Sequence, residues 1–349
     1  MRKRLFVLRG GPDSLNSTHG RFGGGCLPRE DMLRFDGWRI VPAMLLASLT
    51  AALPVRAGDL WLPANTSAIL DHIYSGKHNQ ALSEIHELQQ KYPEHPLPYL
   101  LEAETEWWRI WCASAEYKYG MTMARHRDKV ASDEHYLVLA KKAYGLAENG
   151  LREKDSGEMH LYAGMADALE ARLHGLRFDT RATARAGVRA REHFLNALAR
   201  DPSLADAYTG LGLYNYYVDT LSTIARVIRF FMGVPGGSKA EGIVELNRGI
   251  REGQLTPAVA RFYLALNLEN YDQRYEEALQ AITPLVQKYA KNPIYLLVQG
   301  DLYAKLDRKA KAESCYRAAL AAAEQVEEPA CKAKMKQLAQ ESLAGMGAK

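Results

Sequence analysis

From residue 58 onward the apolar positions recur at spacings of three and four, and almost no stretch alternates apolar and polar residues over the length of a strand. That period gathers the apolar side chains on one stripe of a helix. The pattern predicts an all-α chain. Asp155-x-x-Glu158 and Ser238-x-x-Glu241 read as capping boxes, Thr256-Pro257 as an N-cap followed by proline at the first helical position, and Gly253 as a helix stop. Between 217 and 237 the stripe becomes more strongly apolar. Leu221, Ile224, Val227, Ile228 and Phe231 share one face, Arg226 and Arg229 lie opposite, and Pro235-Gly236-Gly237 ends the segment.

The helical pattern also repeats. The segment with Ala278, Ile282 and Leu285 superposes on Ala312, Tyr316 and Ala319 after a shift of 34 residues. The fullest unit is Ala190-x-x-x-Phe194-x-x-Ala197-x-x-x-x-Pro202, followed by Tyr208-x-x-Leu211-Gly212 at the start of the next helix. Gly76, Ala81, Ile85, Leu88 and Pro93 give another copy. Gly164 marks a further first helix, and Gly300 and Tyr303 mark the first helix of the last unit. A small residue lets two antiparallel helices approach, an aromatic ring fills the space between hairpins, and proline stops the second helix. The period and these motifs make residues 64–345 resemble the tetratricopeptide repeat family. The repeats are clear in 64–96, 186–220 and 257–322; residues 97–185 fit loosely, and Pro284 inside a second helix departs from the pattern. Gly210-Leu211-Gly212-Leu213-Tyr214-Asn215, with the apolar helix and glycine-rich break after it, resembles the family of tetratricopeptide-repeat protein thirty-nine and a fungal inclusion-body clearance protein.

The fold implied by the resemblance is a right-handed solenoid of helical hairpins with a helical insert at 217–237. Its function would be to hold a peptide or partner protein in a concave groove. Carried onto this sequence, the groove positions are Leu213, Tyr216 and Tyr217 on one first helix, Tyr263, Asn267, Asn270 and Tyr271 on the next, and Asp301 and Lys305 on the last. These side chains are mostly aromatic and amide, so the basic carboxylate clamp of chaperone-binding members is not reproduced. Tyrosines at these positions would alternatively fill the space between hairpins.

Charge changes the picture at one end only. Residues 1–57 carry nine Lys/Arg against four Asp/Glu, leaving 36 basic and 37 acidic residues beyond them. A nucleic-acid partner calls for a net basic face, which this balance excludes. Arg34 and Arg39, the apolar run Ile40 to Leu53, and Val55-Arg56-Ala57 before Gly58 follow the order of a secretory signal peptide over 32–57. Translation is expected to start at Met32, with 1–31 an upstream extension, and the protein to be exported, periplasmic, or membrane-anchored if the signal stays uncleaved. The apolar run of about 14 residues is short for a spanning helix.

Three cysteines follow the signal: Cys112, Cys315 and Cys331. Cys315 and Cys331 lie on successive helices and pair if these are antiparallel neighbours; the other reading is three buried thiols. No zinc, phosphate-loop or nucleophile-elbow motif is present, and no cofactor or metal is implied. Gly210-x-Gly212 is part of a dinucleotide fingerprint without its strand. His72, His78 and His86 share one hairpin but read as surface histidines. Glu102, Glu104 and Glu106 beside Trp107, Trp108 and Trp111 read as solvent-facing carboxylates on a helix whose tryptophans pack inward. The expectation is thus a non-catalytic scaffold with a protein or peptide partner. Two alternatives remain: peripheral membrane contact through 221–232, and a hydrolytic enzyme.

Overall fold

Caps and prolines divide the apolar pattern into thirteen helices among the residues described by the computed structural model, 60–114, 129–221 and 233–347. They are α1 Thr66–Ser75, α2 His78–Lys91, α3 Pro96–Ser114, α4 Ala131–Glu153, α5 Gly157–Leu176, α6 Thr180–Arg200, α7 Asp206–Thr220, α8 Lys239–Glu252, α9 Pro257–Asn270, α10 Tyr275–Lys288, α11 Pro293–Lys305, α12 Lys309–Ala323 and α13 Pro329–Gly347. No strand occurs among the described residues, so the chain is all-α. The expected signal at 32–57, the extension at 1–31 and most of the apolar stripe of the insert, Ile224 to Phe231, lie outside them.

The helix starts follow local chemistry with one shift. Ser238 caps α8, its hydroxyl accepting the Glu241 N–H, and Asn292 caps α11 ahead of Pro293. At α5 the cap is Ser156, which accepts from Met159 N–H, one residue after the Asp155 expected. Glu158 instead accepts from Trp61 N–H at 3.0 Å and Tyr162 OH at 3.3 Å. Thr256 opens α9 without a side-chain cap. Its hydroxyl and N–H, with the N–H of Leu255, all bond the buried carboxylate Oδ1 of Asp206 at 2.8–2.9 Å. A turn whose amides converge on one carboxylate satisfies that charge away from water. Helix α10 runs on through Pro284.

Each helix packs against the next in order. Phe194 on α6 shows why the small residues are where they are. A Cβ on Gly164 of α5 would meet its ring at 2.8 Å, and one on Gly210 of α7 would overlap it. Tyr316 on α12 fills the same role against Gly300, and α7 crosses α8 so closely that Gly212 and Gly242 face each other's backbone.

The row of helices also returns on itself. Helix α13 packs on α3 as well as on α12, and Cys112 and Cys331 form a disulfide across that contact. This corrects both readings, three buried thiols and a Cys315–Cys331 pair: among the described residues Cys315 is the free thiol, donating to Gln299 Oε1 at 3.4 Å. Arg109 Nε bonds Glu328 at 2.5 Å beside the disulfide, and Asn292 Nδ2 donates to Tyr74 O at 2.8 Å, tying α11 to α1.

Helix α3 is the hub of the core. Trp108 touches Tyr74, Phe262 and Tyr295, from α1, α9 and α11, and Trp107 stacks on Trp111 and touches Tyr136 of α4. The glutamates of α3 do not face solvent. Glu102, Glu104 and Glu106 are all buried, with partners from other helices or from their own. Glu104 accepts from Trp108 Nε1 at 2.9 Å and from Arg172 Nη2 at 2.5 Å, while Arg172 also lies over the Trp107 ring. A charge is tolerated in such a core only when paired in this way.

Candidate functional site

Tyr216, Tyr217, Asn267 and Tyr271, four of the residues expected to line the groove, come together where α7 meets α9. Tyr216 on α7 donates its hydroxyl to the backbone oxygen of Asn267 on α9 at 2.9 Å and to Asp272 Oδ2 at 2.7 Å. Lys239 bonds the other oxygen of Asp272 at 2.6 Å and lies over the Tyr216 ring. Burial and the Asp272 carboxylate together push the Tyr216 phenol far above its ordinary range. The rings of Tyr216, Tyr217 and Tyr271 then form a triangle with centroids 6.1–6.3 Å apart, within the range of favourable aromatic pairs.

The site has a floor and a rim. Tyr216, Tyr263 and Asn267 are the floor: each is at most 1% exposed, so these three do not line an open groove. The cause is long-range. Helix α3 brings Trp107 against Tyr263, to whose hydroxyl its indole N–H donates at 3.1 Å. Leu213, Tyr217, Asn270 and Tyr271 are half-buried and form the rim. Asn270 donates its amide to Leu266 O of its own helix.

Asp301 and Lys305 stand on α11 with partners of their own. Asp301 accepts from Tyr316 OH at 2.7 Å, and Lys305 pairs with Glu269 at 3.1 Å while lying over the Tyr275 ring.

Asn267 is the exception in this network. Its side-chain oxygen and nitrogen are both buried with no hydrogen-bond partner. Burial raises the pKa of the neighbouring Tyr217 phenol well above its ordinary value while the Asn267 amide pulls it down, yet the two groups stop short of a regular hydrogen bond. An amide can donate twice and accept twice. Leaving one idle in a core costs about 1 to 3 kcal/mol per unmet group.

No family model and no curated protein matches this chain. Its chemistry is therefore read from its own side chains. Two carboxylates on α4 and α5 are held in ion pairs. Arg177 grips Asp133 with two bonds of 2.7 Å, and Arg189 joins Asp167 to Glu170. A cavity of about 190 Å³ lies beside the second pair, between α4, α5 and α6, with Tyr144 on its wall. Asp167 has its pKa raised to about 6 by burial, which outweighs the pull of Arg189. Its idle oxygen Oδ2 is sealed from solvent. Sequence reading did not find the Asp167–Arg189 or Glu104–Arg172 pairs, because charge at helical spacing ordinarily marks a solvated face.

No helix among the described residues is long and apolar enough to cross a membrane.

Proposed function

We propose that the chain is an exported, tetratricopeptide-type scaffold that holds a partner polypeptide on the strip where α7 meets α9, by amide and aromatic contact and without making bonds. The carrying observation is the Asn267 amide, buried with no hydrogen bond of regular geometry at either end and only a loose approach to the Tyr217 hydroxyl, beside the Tyr216–Tyr217–Tyr271 triangle. A fold optimised for stability alone gains by placing leucine there. An extended backbone offers the donor and the acceptor that the amide lacks, and the rim tyrosines supply large contact area at low entropy cost. The floor is closed by Trp107 and Tyr263, so a partner engages the rim first and reaches Asn267 by turning the Tyr217 side chain aside.

Two further observations support the repeat reading. Phe194 between Gly164 and Gly210, and Tyr316 against Gly300, follow the small–large logic of that family, and α10 and α12 begin 34 residues apart. Export is supported by the Cys112–Cys331 disulfide, since such bonds persist in oxidising compartments.

The test is site-specific photocrosslinking in cells. A benzophenone side chain at Tyr217 or Tyr271 is expected to capture a discrete partner, and one at the outward-facing Val244, 67% exposed, to capture none. Crosslinks at Val244 with none at the rim would move the site elsewhere.

A further inference from the structure

Outside this strip, two imidazoles from neighbouring helices meet through like atoms. His160 stands near the start of α5 and His193 on α6, with Nδ1 3.0 Å from Nδ1 and ring centroids 5.3 Å apart. On its other side His160 places Nε2 3.1 Å from Oδ1 of Asp155, in the turn ahead of α5, and Arg200 of α6 bonds both oxygens of that carboxylate. His160 is buried and His193 half-buried. We propose that His160 and His193 form an acid-sensitive latch on the seam between α5 and α6, closed while one of the two Nδ1 atoms keeps its lone pair and opened when both carry protons.

The order of donors follows from counting hydrogens. A bond between two Nδ1 atoms needs one N–H and one lone pair. An ionised carboxylate only accepts, so Nε2 of His160 carries the hydrogen that faces Asp155, and the neutral ring leaves its own Nδ1 bare. His193 is therefore the donor across the seam. A first added proton goes to Nε2 of His193, and the bond survives it. A second can go only to Nδ1 of His160, which turns the acceptor into a donor and sets two cations against each other.

The surrounding charges do not cancel this. Burial is the largest influence on both rings and holds each below the ordinary 6.5. Around His160, Arg200 acts in the same direction, against Asp155 and Glu148 of α4. Around His193, His160 itself and Arg189 oppose a charge, against Glu148 and Glu192, and Tyr144 of α4 sets its ring edge-on at 5.8 Å. Folded rings with lowered pKa values contribute fully above pH 6.5 and lose that contribution as pH falls. Asp155 stays ionised on the way down, because Arg200 holds its pKa below the usual value. Next to His193 is Phe194, the ring seated against Gly164 and Gly210, so opening the latch loosens the contact that joins α5, α6 and α7.

The experiment is NMR of the full chain labelled with nitrogen-15 histidine, together with hydrogen exchange read by mass spectrometry from pH 7 to 5. At pH 7 His160 is expected as the Nε2–H tautomer and His193 as the Nδ1–H tautomer, with His193 titrating first. After correction for intrinsic rates, opening of 157–164 and 190–200 is expected to rise at least about tenfold over that range, with 309–323 of α12 steady. Replacing both rings, His160→Gln with His193→Gln, should abolish the rise. The tautomers are read on the parent chain, so the test stands if the double variant folds poorly. The same tautomer on both rings, a rise that persists in the double variant, or an equal rise in α12 would overturn the proposal.

Discussion

Trp107 donates its indole N–H to the hydroxyl of Tyr263, 156 residues away in sequence. Both side chains are buried, and the bond joins the hub helix α3 to the floor of the candidate site. Tyr263→Phe leaves that N–H unpaired in the core, and an expected loss of about 1 to 3 kcal/mol in urea unfolding follows. Trp107→Phe and the double variant complete a cycle, in which a coupling of at least about 0.5 kcal/mol is expected. Strict additivity would show that the two residues do not act on each other.

The disulfide joins cysteines 219 residues apart. Cross-linking a chain over that distance restricts its unfolded state, and loss of such a bond costs about 2 to 5 kcal/mol. Cys331→Ser is expected to lower stability by that amount. A non-reducing digest of the native protein should yield a peptide joining Cys112 to Cys331, with Cys315 alkylated; a Cys315–Cys331 peptide would refute the assignment.

Acid should weaken the fold through two histidines. Burial holds His78 and His95 near pKa 4, below the ordinary 6.5 that each regains on unfolding. The folded state thus prefers the neutral rings: their contribution is complete above pH 6.5 and is lost as pH falls toward 4. Asp167 works the other way. Its pKa is near 6 when folded and 3.8 otherwise, so its penalty at neutral pH is relieved as pH falls from 6 to about 4. Each group changes the slope of stability against pH by at most about 1.4 kcal/mol per unit. Measured between pH 4 and 7, His95→Gln should flatten the acid loss and Asp167→Asn should steepen it. The opposite order would contradict both assignments.

Ala312 is fully buried where α12 packs into the row. Ala312→Phe should cost about 1 to 3 kcal/mol by overpacking, with thermal melting as the check, and an unchanged Tm would mean that the helix faces solvent there.

The helices and their small–large contacts were legible in the sequence because they depend on residues within one or two neighbouring helices. Phe194 could be assigned its neighbours from spacing alone. The region that fitted the repeat only loosely, 97–185, contains α3, and here sequence reading failed. Glu102, Glu104 and Glu106 carry charge at spacings that ordinarily mean solvent, yet each finds a partner that burial requires, Arg172 for Glu104 and Arg109 for Glu106. The Cys112–Cys331 bond was equally hidden, since it depends on the last helix returning to the third. Of the nine groove positions, Tyr216, Tyr217, Asn267 and Tyr271 meet, while Asp301 and Lys305 stand on α11 with other partners. The burial of Tyr263 was not legible, because Trp107, which bonds it, comes from α3, more than 100 residues upstream of the strip.

The most direct measurement on the central claim is the urea unfolding free energy of Asn267→Leu against the parent chain. Leucine has nearly the same size and nothing to satisfy. If the amide is held idle for a partner, its removal should stabilise the fold by about 1 to 3 kcal/mol. A loss of stability would show that Asn267 already serves the core, and the strip would no longer be the place where a partner is held.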